Sequence, residues 1–106
     1  MDLPAPGLLP INHFRHNGQK LTKILREHRE WVLSNGGKGS RADLSGADLN
    51  HAELKGVNLV RADMRGIHLW RAWLIGADLR EADLSKSDLC GTNLTAATQR
   101  SRLTGC

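Results

Sequence analysis

The chain has 106 residues, the size of a single domain, and 40% of them are hydrophobic. Lysine and arginine outnumber aspartate and glutamate by 15 to 11, so the formal net charge of +4 favours an acidic partner over a basic one. No apolar run approaches the roughly 18 residues of a membrane span, and no basic leader precedes one. The two cysteines, Cys90 and Cys106, form no disulfide framework, so we expect a soluble cytoplasmic protein with no membrane association.

The first segment, residues 1–16, shows little periodicity and contains all three prolines. We predict an extended or disordered N-terminal arm, because the ends of a chain are ordered only where something holds them. Its apolar residues offer the alternative of docking along the rest of the molecule. These are Leu8, Leu9, Ile11 and Phe14.

Residues 17–37 form the one segment with helical periodicity. Its apolar side recurs at helical spacing through Leu21, Ile24, Leu25, His28 and Val32. We predict that Asn17 caps the helix and that Asn35, Gly36 and Gly37 end it. An amphipathic helix here is expected to cover the open end of the structure that follows, and the alternative is a helix that binds a partner or a membrane surface.

Residues 38–100 repeat with a period of five. Leucine or methionine occupies the centre of eleven successive pentads: Leu44, Leu49, Leu54, Leu59, Met64, Leu69, Leu74, Leu79, Leu84, Leu89 and Leu94. A small or aliphatic residue stands two positions before each centre, and Asp, Glu or Asn stands between them in nine of the eleven. Neither a helix nor a flat strand places residues five apart on one side, but a coil that turns a corner every five residues does. We therefore expect a solenoid whose core is these central residues.

The stretches RADLSGADL at 41–49 and GADLREADL at 76–84 resemble the A(D/N)LxX motif of the pentapeptide-repeat family. This resemblance implies an all-β solenoid, a right-handed quadrilateral β-helix with four pentads in each of about three coils. His68 and Trp73 depart from the motif at the acidic position, and Gln99 departs from it at the last leucine position. The repeat is thus expected to end near residue 100, followed by a C-terminal tail at 101–106.

Residues twenty apart stack if each coil holds four pentads. One row then carries Asp43, Asp63 and Asp83, and another pairs Arg61 with Glu81; both fit an ordinary solvated surface. A further row places His68 between Asp48 and Asp88, where carboxylates favour a protonated imidazole. No histidine or cysteine pair there has a recognised metal-ligand spacing, so we predict surface pairing, and neither a metal site nor a cofactor.

The sequence IHLWRAWLI at 67–75 directs large side chains outward from the middle coil. The candidate partner-binding residues are Trp70, Arg71, Trp73 and Ile75. Grouped tryptophan and arginine on a small protein are typical of an interface. The alternative is that the N-terminal arm covers them.

Nothing in the chain has the form of a phosphate-binding loop or a nucleophile elbow, so we predict no enzymatic activity. We expect a scaffold that binds an unknown protein partner, or itself as a homodimer through the tryptophans or the open C-terminal coil. Some members of the family the chain resembles act on DNA gyrase as DNA mimics, which gives a gyrase- or topoisomerase-modulating role as the alternative. Mimicry requires a long acidic rod, and direct nucleic-acid binding requires arginines gathered in a stripe; this chain has neither.

Overall fold

The computed structural model describes residues 7–99. The predicted tail at 101–106 and the beginning of the predicted arm lie outside these residues. In chain order the elements are a 3-10 helix at Ile11–His13, strands β1 at Arg15–His16 and β2 at Gln19–Lys20, helix α1 at Leu21–Leu33, and strands β3 at Asp78–Leu79 and β4 at Thr98–Gln99.

Strands β1 and β2 form an antiparallel hairpin that the sequence analysis did not predict. Asn17 and Gly18 connect the strands with φ values of 51° and 77°, the two positive φ angles of a type I′ turn. Asn17 is therefore not the N-cap of the helix, which begins four residues later at Leu21 with no side-chain cap from Lys20. The Asn-Gly pair is a strong hairpin signal, and here it outweighs the capping preference of asparagine.

Helix α1 ends where the sequence predicts. The Gly36 N–H donates to the Trp31 carbonyl at 2.8 Å and the Asn35 N–H donates to the Val32 carbonyl at 3.3 Å. Asn35 has a φ of 53°, so these bonds form a Schellman motif with asparagine in the left-handed position. The chain then turns back across the helix towards the repeat.

Helix α1 is attached to the start of the repeat by hydrogen bonds as well as by apolar packing. Leu21, Ile24 and His28 are buried. His28 Nδ1 accepts the Ala42 N–H at 2.9 Å, and the Glu27 carbonyl accepts the Ser40 N–H at 3.1 Å. The helix thus satisfies backbone donors at the point where the repeat begins.

In the repeat, the backbone returns over itself every twenty residues. Parallel bridges join residues of four columns, which we call faces 1 to 4: Asp43, Asp63 and Asp83; Asp48, His68 and Asp88; Glu53, Trp73 and Asn93; and Asn58, Asp78 and Thr98. We call residues 41–60, 61–80 and 81–99 coils 1 to 3. Most of these contacts are isolated bridges, and only β3 and β4 extend to two paired residues, because a corner interrupts each strand after a few residues.

The central leucines and methionine form the core of the repeat. Ten of the eleven are buried, from Leu44 to Leu89, and Leu94 is partly buried against them. The preceding alanines are buried beside them. Val60 differs from expectation: the sequence places it outward, yet it is 7% exposed, because helix α1 lies over this corner and Val32 lines the same cleft.

Part of the predicted arm is ordered as an addition to face 3. Leu9 forms a parallel bridge with Ala52 at the edge of coil 1. The Leu9 N–H donates to the His51 carbonyl at 2.8 Å, and the Leu9 carbonyl accepts the Glu53 N–H at 2.9 Å. A single extended residue therefore satisfies two backbone groups of an otherwise open edge.

Candidate interaction surface

The corners of the coils determine which side chains point outward. At each corner the N–H of the next inward residue donates to the carbonyl of the central residue, as Ala47 does to Leu44 at 3.1 Å. The second of the two residues between them has a positive φ, for example 70° at Gly46 and 55° at Arg71. This is the geometry of a turn with a left-handed third residue, and it directs both corner side chains away from the core.

The acidic position of the motif has a local structural role. In nine pentads the side chain of that residue accepts the N–H two residues later, as Asp43 Oδ1 accepts from Ser45 at 3.1 Å. Two of these carboxylates also accept hydrogen bonds from an arginine side chain. Arg65 lowers the pKa of Asp63 and Arg80 lowers the pKa of Asp78, in each case chiefly by side-chain hydrogen bonding. Asp63 and Asp78 are therefore bonded both to the corner backbone and to a neighbouring arginine.

Trp70 stands at the corner that departs most from this pattern. Its pentad has His68 at the acidic position, and the Trp70 N–H donates instead to Asn50 Oδ1 of coil 1 at 2.8 Å. Asn50 thus replaces the missing acceptor from twenty residues away. The Trp70 N–H therefore has a side-chain acceptor, as the corresponding N–H does in nine other pentads, although its own pentad does not supply it.

Two side chains contact the Trp70 ring, and the rest of the ring is exposed to solvent. The His51 ring meets it edge-on at a centroid distance of 5.1 Å, and the Arg71 guanidinium lies 4.7 Å from its centroid. Trp70 remains 40% exposed. Arg71 has no anionic partner among residues 7–99, so an exposed indole and an uncompensated cation lie side by side.

Gly91 makes room for this arrangement. A Cβ at Gly91 would lie 3.0 Å from Arg71 Cγ, so the aliphatic part of Arg71 runs closely over the glycine. Gly91 and Asn50 are the two supporting residues that sequence reasoning missed. Gly91 lies twenty residues after Arg71, and Asn50 lies twenty residues before Trp70, so the stacking period of twenty could have identified both.

Trp73 lies on face 3 between Glu53 and Asn93 and is half-buried. With Arg71 it lines a shallow cleft of about 370 Å³, to which Gly7 and Leu8 also contribute. The arm therefore reaches the side of Trp73, while Trp70 stays open. Ile75 lies on the following corner and is partly buried, so it is separated from Trp70 and Arg71 by the strand segment that carries Trp73.

The remaining predicted rows are observed as stacked columns. His68 bridges to Asp48 and to Asp88, and Arg61 Nε lies 3.8 Å from Glu81 Oε2. Within residues 7–99, no group of three or more His, Cys, Asp or Glu side chains is placed to hold a metal ion. Cys90 carries no free thiol. In this part of the chain no helix is long and apolar enough to cross a membrane.

Comparison with known proteins agrees with this geometry. The model of the family described as pentapeptide repeats matches residues 40–71 and 58–95. The chain belongs to the pentapeptide-repeat family. No curated protein matches it at a significant level.

Three solved structures of pentapeptide-repeat proteins are similar to the chain. Rfr23 from the cyanobacterium Cyanothece 51142 is 32% identical with a TM-score of 0.57, over 60% of this chain and 45% of Rfr23. HetL from Nostoc sp. strain PCC 7120, a protein involved in heterocyst differentiation regulation, is 35% identical with a TM-score of 0.38, over 60% of this chain and 35% of HetL. A thylakoid-lumen protein of Arabidopsis thaliana is 32% identical with a TM-score of 0.29, over 57% of this chain and 50% of that protein.

The matched region thus spans half or less of each of these relatives. The pentapeptide-repeat relatives imply a right-handed β-helix, in accord with the parallel bridges between residues twenty apart. Proteins of this family are generally non-enzymatic structural or interaction proteins, and nothing found in the described residues points to catalysis.

Proposed function

We propose that this chain is a non-enzymatic interaction module and that it binds a protein partner through Trp70, Arg71 and Trp73. In this proposal the repeat is a four-sided, right-handed β-helix of three coils, with helix α1 covering the first. The rigid coils hold the binding side chains in place, so that little conformational freedom is lost when a partner binds. We call Trp70, Arg71 and Trp73 the tryptophan surface.

One observation carries the proposal: Trp70 is 40% exposed although His51, Arg71 and Asn50 all hold it in position. Tryptophan and arginine are the residues most enriched at binding hot spots, where a rigid aromatic anchor enters a pocket on the partner. Ile75 belongs to the periphery of this surface at most, because it lies on the next corner.

The experiment is capture of partners on the immobilised chain, comparing wild type with Trp70→Ala. Leu33→Ala is the matched control, because Leu33 is 70% exposed on helix α1, away from the tryptophan surface. We expect a specific partner to be lost with Trp70→Ala, by at least about tenfold in affinity, and kept with Leu33→Ala. Equal capture by all three proteins would contradict the proposal.

Light scattering of the same three proteins distinguishes an outside partner from a second copy. A wild-type dimer that Trp70→Ala converts to monomer would identify the tryptophan surface as a self-interface. The gyrase-modulating alternative gains no support here, because the acidic residues Asp63 and Asp78 are paired with Arg65 and Arg80 instead of forming an uncompensated acidic face.

A further inference from the structure

We propose a second binding site at the coil 1 edge of face 4, which takes an extended acidic-aliphatic segment of a partner protein as an added strand. The site consists of the backbone of Gly56–Asn58, the apolar side chains of Ile11, Leu25 and Val57, and the guanidinium groups of Arg26 and Arg29. We call it the edge groove. It is independent of the tryptophan surface.

Face 3 already shows how such an edge is filled. There Leu9 bonds to the His51 carbonyl and the Glu53 N–H. Five residues later along the coil, the corresponding groups on face 4 are the Gly56 carbonyl and the Asn58 N–H. Neither of these groups has a hydrogen-bond partner among residues 7–99. An unpaired pair of this kind is a template for strand addition.

A groove of about 440 Å³ lies over these two groups. Its apolar side chains, Ile11, Leu25 and Val57, are only partly buried against the core. Successive side chains of an added strand point to opposite sides, so every second residue of the segment faces this apolar wall. The wall therefore favours aliphatic residues in alternation.

Two arginines on helix α1 line the same groove. Arg26 and Arg29 are three residues apart and so lie on one side of the helix. Both are exposed, and neither guanidinium group forms an ion pair or a side-chain hydrogen bond with a described residue. They favour carboxylates in the remaining positions of the bound segment. A second copy of this chain is disfavoured as occupant because its net charge is +4.

The test uses a capped synthetic hexapeptide of alternating glutamate and valine, titrated at low salt by calorimetry. The groove variant is Arg26→Glu with Arg29→Glu. The control is Lys20→Glu with Lys23→Glu, which makes the same change in net charge at exposed positions outside the groove. We expect the groove variant to bind about tenfold more weakly and the control to stay within about twofold of wild type. Circular dichroism verifies that each variant is folded.

A second peptide, N-methylated at every glutamate and valine, tests strand pairing itself. It is expected to lose binding, because N-methylation removes the N–H donors that an added strand needs. Equal loss in both charge variants, undiminished binding of the N-methylated peptide, or no binding of the first peptide up to about 1 mM would overturn the proposal. So would a wild-type dimer that dissociates in the groove variant, since a second copy would then fill the groove.

The Trp70→Ala variant separates this proposal from the proposed function. It leaves the edge groove intact, so its affinity for the hexapeptide is expected to equal that of wild type. A comparable loss in Trp70→Ala would show that the peptide binds at the tryptophan surface, and the edge groove would be rejected.

Discussion

Single residues at the corners contribute to the stability of the repeat through their backbone conformation. Each corner requires a left-handed residue, and glycine fills it at some corners while Lys86 or Ala96 fills it at others, each with a φ of 58°. A side chain in this conformation costs roughly 1 kcal/mol relative to glycine, which adopts positive φ freely. At Gly46, Gly56 and Gly76 the reason for glycine is therefore the backbone conformation and not space, since an added Cβ would meet nothing within 4 Å.

We predict that Lys86→Gly stabilises the protein and that Gly76→Ala destabilises it, each by about 1 kcal/mol. Lys86 is exposed, and a Cβ at Gly76 would meet nothing within 4 Å, so both changes report on the φ angle alone. Chemical denaturation measures both free energies of unfolding. If the two variants shifted in the same direction, the left-handed conformation would not be the cause.

At this scale the sequence pattern predicted the inward positions well. The acidic position was recognised as a pattern, but its hydrogen bond to the corner N–H was not. The local sequence could not show that Asn50, and not His68, supplies the acceptor for the Trp70 N–H. The two residues lie in different coils, and only the stacking brings Asn50 to Trp70.

Helix α1 and the first coil are joined by the buried side chain of His28. Its Nδ1 accepts the Ala42 N–H, and its ring stacks on Trp31 at 5.6 Å. Burial lowers the pKa of His28, and the positive charges of Arg41 and Arg61 lower it further, whereas the Val60 backbone carbonyl acts in the opposite direction. The folded protein thus favours the neutral ring, the form that leaves Nδ1 free to accept.

This gives the helix junction a pH dependence. The unfolded chain has a histidine pKa near 6.5, so the contribution of His28 to stability is complete above that pH. It is lost as the pH falls from 6.5 towards the lowered pKa of the folded state, by up to about 1.4 kcal/mol per pH unit. We expect denaturation between pH 7 and pH 5.5 to show this loss in wild type and a flatter profile in His28→Gln. Parallel profiles would exclude His28 as the source.

Gly39 allows the chain to pass close to the same helix. A Cβ there would lie 2.2 Å from the Glu27 carbonyl oxygen and 2.8 Å from the Trp31 nitrogen, both backbone atoms. Gly39 also has a φ of 69°. Because backbone atoms cannot move aside as a flexible side chain does, any residue larger than glycine must shift the helix away from the coil.

We predict that Gly39→Ala destabilises the protein by about 2–4 kcal/mol, through a backbone clash added to the strained φ. Gly46→Ala is the matched control, because Gly46 has a φ of 70° but an added Cβ would meet nothing within 4 Å. Thermal denaturation of the two variants separates the clash from the strain. Equal destabilisation by Gly39→Ala and Gly46→Ala would mean that the helix moves away from the added Cβ at little cost in free energy.

Within residues 7–99, one hydrophobic core cluster extends from the residues before the repeat to Leu89. Leu69 is fully buried at its centre, while the adjacent His68 is exposed. A carboxylate at Leu69 would be buried without a partner, which costs several kcal/mol, whereas a small polar residue at His68 would face water.

We therefore expect Leu69→Asp to abolish the folded state and His68→Asn to preserve it, as followed by circular dichroism and the cooperativity of urea denaturation. The asparagine also restores the acceptor that most other pentads have at this position. A folded Leu69→Asp protein would refute the inward register of the repeat.

At the scale of the whole chain, the repeat and its core were predictable because a period of five has few structural solutions. The contacts that residues before the repeat make with it were not predictable. The strand added by Leu9 and the burial of Val60 under helix α1 depend on contacts between distant segments, which no local pattern encodes. The sequence grouped Trp70, Arg71, Trp73 and Ile75 as candidate binding residues without showing that a strand segment separates Ile75 from Trp70 and Arg71.

The acceptor that Asn50 supplies to Trp70 bears on how such a protein can lengthen by duplication. A tandem copy of residues 61–80 would place one Trp70 beneath another, and the lower amide would find no side-chain oxygen above it. The upper Arg71 would run over a second arginine where Gly91 now leaves space. The middle coil therefore makes contacts that depend on its present neighbours, and growth of the repeat by copying is expected to spare it.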